Sequence, residues 1–239
     1  MTPEDAFFTL HSTLEREGPG DDESLAWALG VARVPPSGRV LDAGCGPGAD
    51  VAGLLAAVPD GQVVAMDLHQ PYIDELVARL GVDARLRAVP GDMRAPEGMF
   101  DLIWCAGAIY NVGIAEALSA WRPHLKPGGR VAFSELGWRI DNPPLEAREF
   151  WTRYPAMTDR AGILAQVEAA GWRVLADRWL PEGGWSAYYE PLAARLAHLR
   201  AEAEPTLAGI LDEEAREIDI WRRHGSSYGY LQVVAEPLA

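Results

Sequence analysis

The sequence predicts an α/β protein built on a seven-stranded, doubly wound, mainly parallel sheet. Three observations carry that expectation. Short apolar runs alternate with helical patterns along most of the 239 residues, the first run ends in a cluster of glycines, and 49% hydrophobic residues can fill a substantial core. Right-handed crossovers follow from the alternation. A single domain over residues 1–239 is expected, because no linker is long enough to set apart a second unit and no repeat or low-complexity segment is evident.

Two amphipathic helices, over residues 6–14 and 23–32, come first, joined by the turn-rich Glu17-Gly-Pro-Gly-Asp-Asp22. Residues 1–34 therefore read as an N-terminal helical flap. Residues 39–43 form a short apolar strand between Pro35-Pro36 and the glycines, and residues 62–67 repeat that form after a helix over 50–57, giving a βαβ unit. Further strands are expected near 85–89, 101–105, 130–135, 172–179 and 228–235. The last interval breaks the rhythm: residues 181–225 have room for two helices, around 187–202 and 211–223, and read as a helical lid inserted before the last strand.

Composition narrows the function. The formal charge is −14, so the average surface repels phosphate backbones and anionic lipid, and no basic stripe offers the counterion release that nucleic-acid binding needs. Arg195, Arg200, Arg222 and Arg223 are interleaved with Glu202, Glu213, Glu214 and Glu217, which reads as a solvated, salt-bridged face. The N-terminal residues are acidic where a secretory signal is basic, and no apolar run approaches the roughly 18 residues of a membrane span. Cys45 and Cys105 suit reduced thiols better than a disulfide framework. A cytoplasmic protein acting on a small molecule is expected, with no nucleic-acid or membrane partner; a homodimer is left open.

The strongest local signal is Val40-Leu-Asp-Ala-Gly-Cys-Gly-Pro-Gly48, a strand running into a loop with Gly44, Gly46 and Gly48. Glycines there let the backbone turn sharply and approach a ligand. The spacing differs from the Gly-x-Gly-x-x-Gly of dinucleotide sites. Asp42, two residues before the first glycine, is a poor neighbour for pyrophosphate and a good acceptor for an ammonium group or water. Asp67 ends the second strand, where a carboxylate can take both ribose hydroxyls. Asp92 and Met93 follow the third strand, placing a carboxylate and an apolar side chain at an adenine edge.

This set of motifs resembles the class I S-adenosylmethionine-dependent methyltransferases over roughly residues 39–135. Phe100-Asp-Leu-Ile-Trp104 and Leu125-Lys-Pro-Gly-Gly-Arg-Val131 resemble that family's fourth strand and the turn before its fifth. More narrowly, Glu17-Gly-Pro-Gly20, Asp67-Leu-His-Gln-Pro71, Gly107-Ala-Ile-Tyr-Asn111 and Tyr228-Gly-Tyr230 are similar to a bacterial small-molecule group, of the type 11-like kind. The resemblance implies a Rossmann-like methyltransferase fold, S-adenosyl-L-methionine as donor and S-adenosyl-L-homocysteine as product. It also implies a donor site drawn from Asp42, Ala43, Gly44, Cys45, Gly46 and Gly48, together with Asp67, Leu68, Asp92, Met93 and Cys105. In-line displacement onto a small O, N or S acceptor follows, with a donor-binding module lacking transfer, or a nicotinamide oxidoreductase, as the alternatives.

The acceptor should lie over the ends of the fourth and fifth strands. Tyr110 and Asn111 either orient a polar group there or cap the next helix. Glu135 either acts as a base or is a buried, satisfied carboxylate, and His11 reaches the pocket only if the N-terminal helix folds over it. Trp138, Trp185 and Tyr188, with Trp151, Tyr154 and Tyr189, can wall an acceptor or simply glue cap helices to the sheet. Asn142-Pro-Pro144 follows the fifth strand and reads as a turn rather than a planar-amine motif. No carboxylate set of the magnesium-holding kind follows Asp101, so no metal is expected.

Overall fold

The computed structural model describes residues 1–238. Helices α1 (Pro3–His11) and α2 (Asp22–Ala32) precede the sheet. Each opens with a capping box, Thr2 with Asp5 and Asp21 with Ser24, which satisfies N–H groups that a first helical turn leaves free. The chain continues through β1 (Arg39–Ala43), α3 (Val51–Ala57), β2 (Gln62–Asp67), α4 (Gln70–Leu80), β3 (Leu86–Pro90), β4 (Phe100–Cys105), α5 (Ile114–Trp121) and β5 (Leu125–Trp138). Then come α6 (Leu145–Phe150), the two-residue β6 (Thr158–Asp159), α7 (Arg160–Ala169), β7 (Trp172–Trp179), α8 (Glu182–Arg200), α9 (Pro205–His224) and β8 (Tyr228–Pro237).

The seven long strands lie in the order β3-β2-β1-β4-β5-β8-β7, with β8 antiparallel to both neighbours and the rest parallel. β6 pairs with the end of β5 at Gly137 and Trp138. From β1 the chain first winds outward through β2 and β3, then returns to β4 on the other side. The crevice at this reversal, outside the carboxyl ends of β1 and β4, is where such sheets bind ligands.

Alternation along the strands builds a core on each face. Val40, Val63, Ala65, Leu102 and Trp104 point towards α2, α3 and α4, while Leu41, Val64, Ile103 and Cys105 point towards α5 and α7. A third cluster joins α1, α8 and α9 to the ends of β5 and β8, with Leu10, Trp185, Leu192, Leu211, Ile218 and Tyr228 buried in it. Two ties hold the N-terminal segment to this helical pair: the Gly20 amide donates to the Gly184 carbonyl at 2.9 Å, and Arg195 donates to the Thr9 carbonyl at 3.1 Å.

The sequence expectations err mainly at element ends. β5 runs well past 130–135 because β8 pairs with it without a break from Val131↔Ala235 to Trp138↔Tyr228. α8 begins at Glu182 rather than near 187, despite Gly183 and Gly184, because Trp185 and Tyr188 bury themselves in the third cluster; packing outweighs the roughly 1 kcal/mol each glycine costs in a helix. α9 begins at Pro205, a residue suited to the first helical position. No described helix is long and apolar enough to cross a membrane.

Candidate active site

The tips of β1 and β2 and the loops after β3 and β4 open on one cleft of about 500 Å³. Gly44 turns the chain off β1 at φ 74°, where a Cβ would stand 2.6 Å from that of Ala108. The Gly44 and Cys45 amides both donate to the Met66 carbonyl, at 2.8 and 3.0 Å, which pins the loop to the end of β2. Asp67 braces the same loop: its Oδ2 accepts from the Gly46 amide and its Oδ1 from the His69 amide, each at 2.9 Å. Each carboxylate oxygen keeps a lone pair for a ligand hydroxyl.

Asp42 lies deeper, 3% exposed. Burial, with the charges of Asp50 and Asp67 added, pushes its carboxyl well above the usual range, and Arg16 partly offsets this. Arg16 reaches from the N-terminal segment to Asp50 at 3.0 Å, and the Trp104 indole donates to the other Asp50 oxygen at 2.9 Å. Three carboxylates around one guanidinium make this end of the cleft favour a cationic or zwitterionic guest. At the other end, Arg94 grips Asp92 in a fork, with bonds of 2.9 and 2.6 Å, and holds its carboxyl below the usual range. Met93, whose carbonyl accepts from the Trp121 indole at 2.8 Å, and the 70% exposed Leu68 complete that wall.

Most of the expected donor residues thus share one cleft: Asp42, Gly44, Cys45, Gly46, Asp67, Leu68, Asp92 and Met93 all line it. Three do not. Ala43 and Cys105 are wholly buried and point into the core on the α5 side of the sheet. Gly48 serves helix packing instead, since a Cβ there would meet the Leu76 side chain at 2.4 Å. Asp50, Phe7 and Tyr72 line the cleft without having been singled out. Asp50 had a legible signal, a carboxylate at the start of the helix after the glycine loop.

A second cavity of about 340 Å³ shares Phe7, Glu17, Gly18 and Tyr110 with the first. It is enclosed by α1, α8, α9 and the ends of β5 and β8. Trp185 and Tyr188 stand on its wall, with Trp151, Tyr154, Tyr189 and Tyr230. Trp138 does not; it packs edge-on against Tyr228, ring centres 6.3 Å apart, and serves the cap core. Asn111 lies on the first cleft only, and its side-chain amide donates to the Ala108 carbonyl at 3.1 Å. Glu135 is 3% exposed and reaches neither wall; its Oε1 accepts from the Leu136 amide at 2.8 Å and from the Tyr154 hydroxyl at 3.0 Å, while Oε2 has no partner. Burial pushes its carboxyl up to about 7, against those two bonds.

His11 does fold over the site. It is 2% exposed, stacks on Phe7 at 4.0 Å and places Nδ1 2.6 Å from a Glu17 oxygen. Glu214 and Glu217 also face this chamber, so the solvated-face reading fails for them. The outward ion pairs of that region are made instead by Asp212 with Arg200 and Asp219 with Arg223, both at 2.6 Å. Burial, then the neighbouring Glu217, pushes Glu214 up to about 7, and burial raises Glu217 as well, although Tyr189 donates to it at 2.8 Å. The spacing Leu207, Leu211, Glu214, Ile218, Trp221 puts Glu214 in the apolar stripe of α9, a signal open to view in the sequence.

Among the described residues no group of three or more His, Cys, Asp or Glu is arranged to hold a metal ion. Residues 40–129 match the family described as a methyltransferase domain. The chain is 30% identical over 200 residues to the malonyl-[acyl-carrier protein] O-methyltransferase of Salmonella typhimurium, covering 77% of this chain and 70% of that protein. To the trans-aconitate 2-methyltransferase of Azoarcus sp. it is 26% identical over 219 residues, covering 86% and 76%. Over several other curated relatives the match spans only 38–52% of their length. Among solved structures, a methyltransferase of Geobacter sulfurreducens in complex with S-adenosyl-L-homocysteine superposes with a TM-score of 0.84 over 98% of both chains, at 20% identity. By sequence and by fold, this chain belongs to the class I S-adenosylmethionine-dependent methyltransferases.

Proposed function

We propose that this protein transfers the methyl group of S-adenosylmethionine to a small molecule held in the aromatic chamber. The observation that carries this is that the acid-lined cleft of the glycine loop and that chamber lie side by side, sharing Phe7, Glu17, Gly18 and Tyr110 in their walls. Bound in the cleft, the donor supplies a methyl group on a positively charged sulfur. Asp67 takes the ribose hydroxyls, Asp92 and Met93 flank the adenine edge, and Leu68 covers it. Gly44, Cys45 and Gly46 leave room for the amino-acid tail, whose ammonium group suits Asp42 and whose carboxylate suits Arg16. The surplus of carboxylates disfavours a pyrophosphate, which argues against a nicotinamide cofactor.

On the acceptor side, in-line displacement asks for orientation and the exclusion of water. Trp185, Tyr188 and Tyr110 provide apolar walls, Tyr110 being shared by the two cavities. The N-terminal flap, residues 1–34, and the helical insert, residues 181–225, act as the two covers of a single domain, tied together by the Gly20–Gly184 and Arg195–Thr9 bonds.

Calorimetry with S-adenosylhomocysteine tests the donor half: micromolar binding is expected, and no heat on folded protein overturns the proposal. Labelled methyl donor with a cell metabolite extract tests transfer. A new labelled small molecule is expected, whereas donor binding without any labelled product leaves a binding module in its place.

A further inference from the structure

The chamber's chemistry narrows the acceptor, on the footing of the methyl-transfer reading above. Its charged lining is Glu17, Glu214 and Glu217 against Arg153 and His11. Arg153 is committed elsewhere: its guanidinium pairs with Glu213 at 3.1 Å and lies over the Phe150 ring at 4.1 Å. The buried His11 ring stands on the chamber wall with Nδ1 2.6 Å from a Glu17 oxygen. Three carboxyl groups, Glu17, Glu214 and Glu217, thus dominate the charged lining of the space. Around them stand Trp151, Trp185, Tyr154, Tyr188 and Tyr230, aromatic rings of the kind whose faces attract cations within about 6 Å of the ring centre.

We propose that the acceptor is a small amine, taken up as its ammonium ion, with Glu214 and Glu217 as the recognising carboxylates and the aromatic rings walling its apolar part. Such a guest supplies N–H donors and a positive charge to the carboxylates of this lining. A carboxylate guest, of the kind named for the malonyl and trans-aconitate relatives, would add negative charge to a space lined by three carboxyl groups whose one guanidinium is already paired. The volume of about 340 Å³ is at the small end of ligand pockets, enough for one aromatic ring with a short side chain.

An ammonium ion has no free lone pair, so it must lose a proton before it can be methylated. Glu214, whose carboxyl is held near the middle of the physiological range, is fitted to take it. The nitrogen lone pair then forms the N–C bond as the C–S bond breaks, with that electron pair staying on sulfur as a neutral thioether. The methylated nitrogen leaves as an ammonium ion, and Glu214 passes the one proton it took to water.

The test is a binding comparison on the intact chain, run with and without S-adenosylhomocysteine. Benzylamine, phenethylamine and tryptamine are titrated by calorimetry against benzyl alcohol, phenethyl alcohol and tryptophol, and against benzoate, phenylacetate and indoleacetate. The expected result is that at least one amine binds about tenfold or more tighter than its alcohol and that the acids do not compete. Glu214→Gln should narrow that preference several-fold without moving the affinity for S-adenosylhomocysteine. Equal or tighter binding of the acids, or the failure of all three amines, overturns the proposal. The wild-type comparison decides this even if Glu214→Gln folds poorly. The donor titration keeps the two readings apart: donor binding without amine binding removes only the acceptor class, while amine binding without donor binding removes the methyl-transfer reading.

Discussion

The two cavities are built on different principles. The donor cleft is framed by strand tips and short loops whose backbone groups are bound to each other: Gly44 and Cys45 to Met66, Gly46 to Asp67. Its acids are held by main-chain amides or by arginine. The aromatic chamber is framed by α1, α8 and α9, which meet mainly through side chains, as where Trp185 stacks on Trp221 at 6.2 Å and tilts over Tyr230 at 5.5 Å. Its acids are held mainly by desolvation and a tyrosine. A backbone-braced site keeps its shape when side chains change, whereas a side-chain-walled site changes shape with them. One fold can therefore keep one donor while its acceptors diversify.

The difference can be tested by damaging each wall in turn. Trp185→Ala should give the largest effect on stability, about 3 kcal/mol or more by chemical denaturation, because it empties the centre of the cap cluster. Affinity for S-adenosylhomocysteine, measured above the unfolding threshold, should stay within about twofold, since Trp185 makes no part of the donor cleft. A parallel loss of donor affinity would show that the two walls are one structure. Asp67→Ala should do the reverse. Removing a carboxylate that takes two hydroxyls, each charge-assisted bond being worth about 1.5 kcal/mol or more, should weaken S-adenosylhomocysteine about a hundredfold by calorimetry. Amine binding in the chamber should be left as it was.

The same contrast decides what could be read in advance. The donor cleft was legible because a βαβ crossover carries each strand tip to its neighbour's side, so residues next to motifs in the sequence become neighbours in space. Asp42, Asp67 and Asp92 each follow or end a strand and share a wall for that reason. Misassignments arose where a motif's residues alternate sides, as Ala43 does, or where a glycine answers to a helix, as Gly48 does to Leu76. The chamber draws on His11, Tyr110, Trp185 and Glu217, from four separate stretches of the chain. No local spacing announces that His11 packs against α9, although the apolar stripe of α9 does announce Glu214.

Glu135 sharpens the comparison through pH. Its folded carboxyl titrates near 7 and its unfolded one near 4.5, so the native state binds the proton more tightly. Stability should therefore fall as pH rises from about 4.5 to about 7 and be flat above, the whole step being about 3 kcal/mol. Glu135→Gln should remove its own share of the fall in denaturation midpoints measured from pH 5 to pH 8, leaving the share that Glu214 contributes over the same range. An unchanged profile would mean that Glu135 is solvated in solution.

The smallest expected effect tests whether the donor cleft depends on the core behind it. Trp121 is wholly buried under the sheet, and its indole N–H donates to the Met93 carbonyl, fixing the loop that carries Asp92. Trp121→Phe keeps an aromatic ring in the core but deletes that donor, leaving a carbonyl without its partner at a cost of about 1 kcal/mol. If backbone bracing is what shapes this cleft, part of that loss should appear as a two- to fivefold weaker affinity for S-adenosylhomocysteine, seen in calorimetry at unchanged stoichiometry. Amine binding in the chamber, which shares no residue with α5, should not move. A change confined to the melting temperature would place Trp121 in the core alone and leave the Asp92 loop held by Arg94.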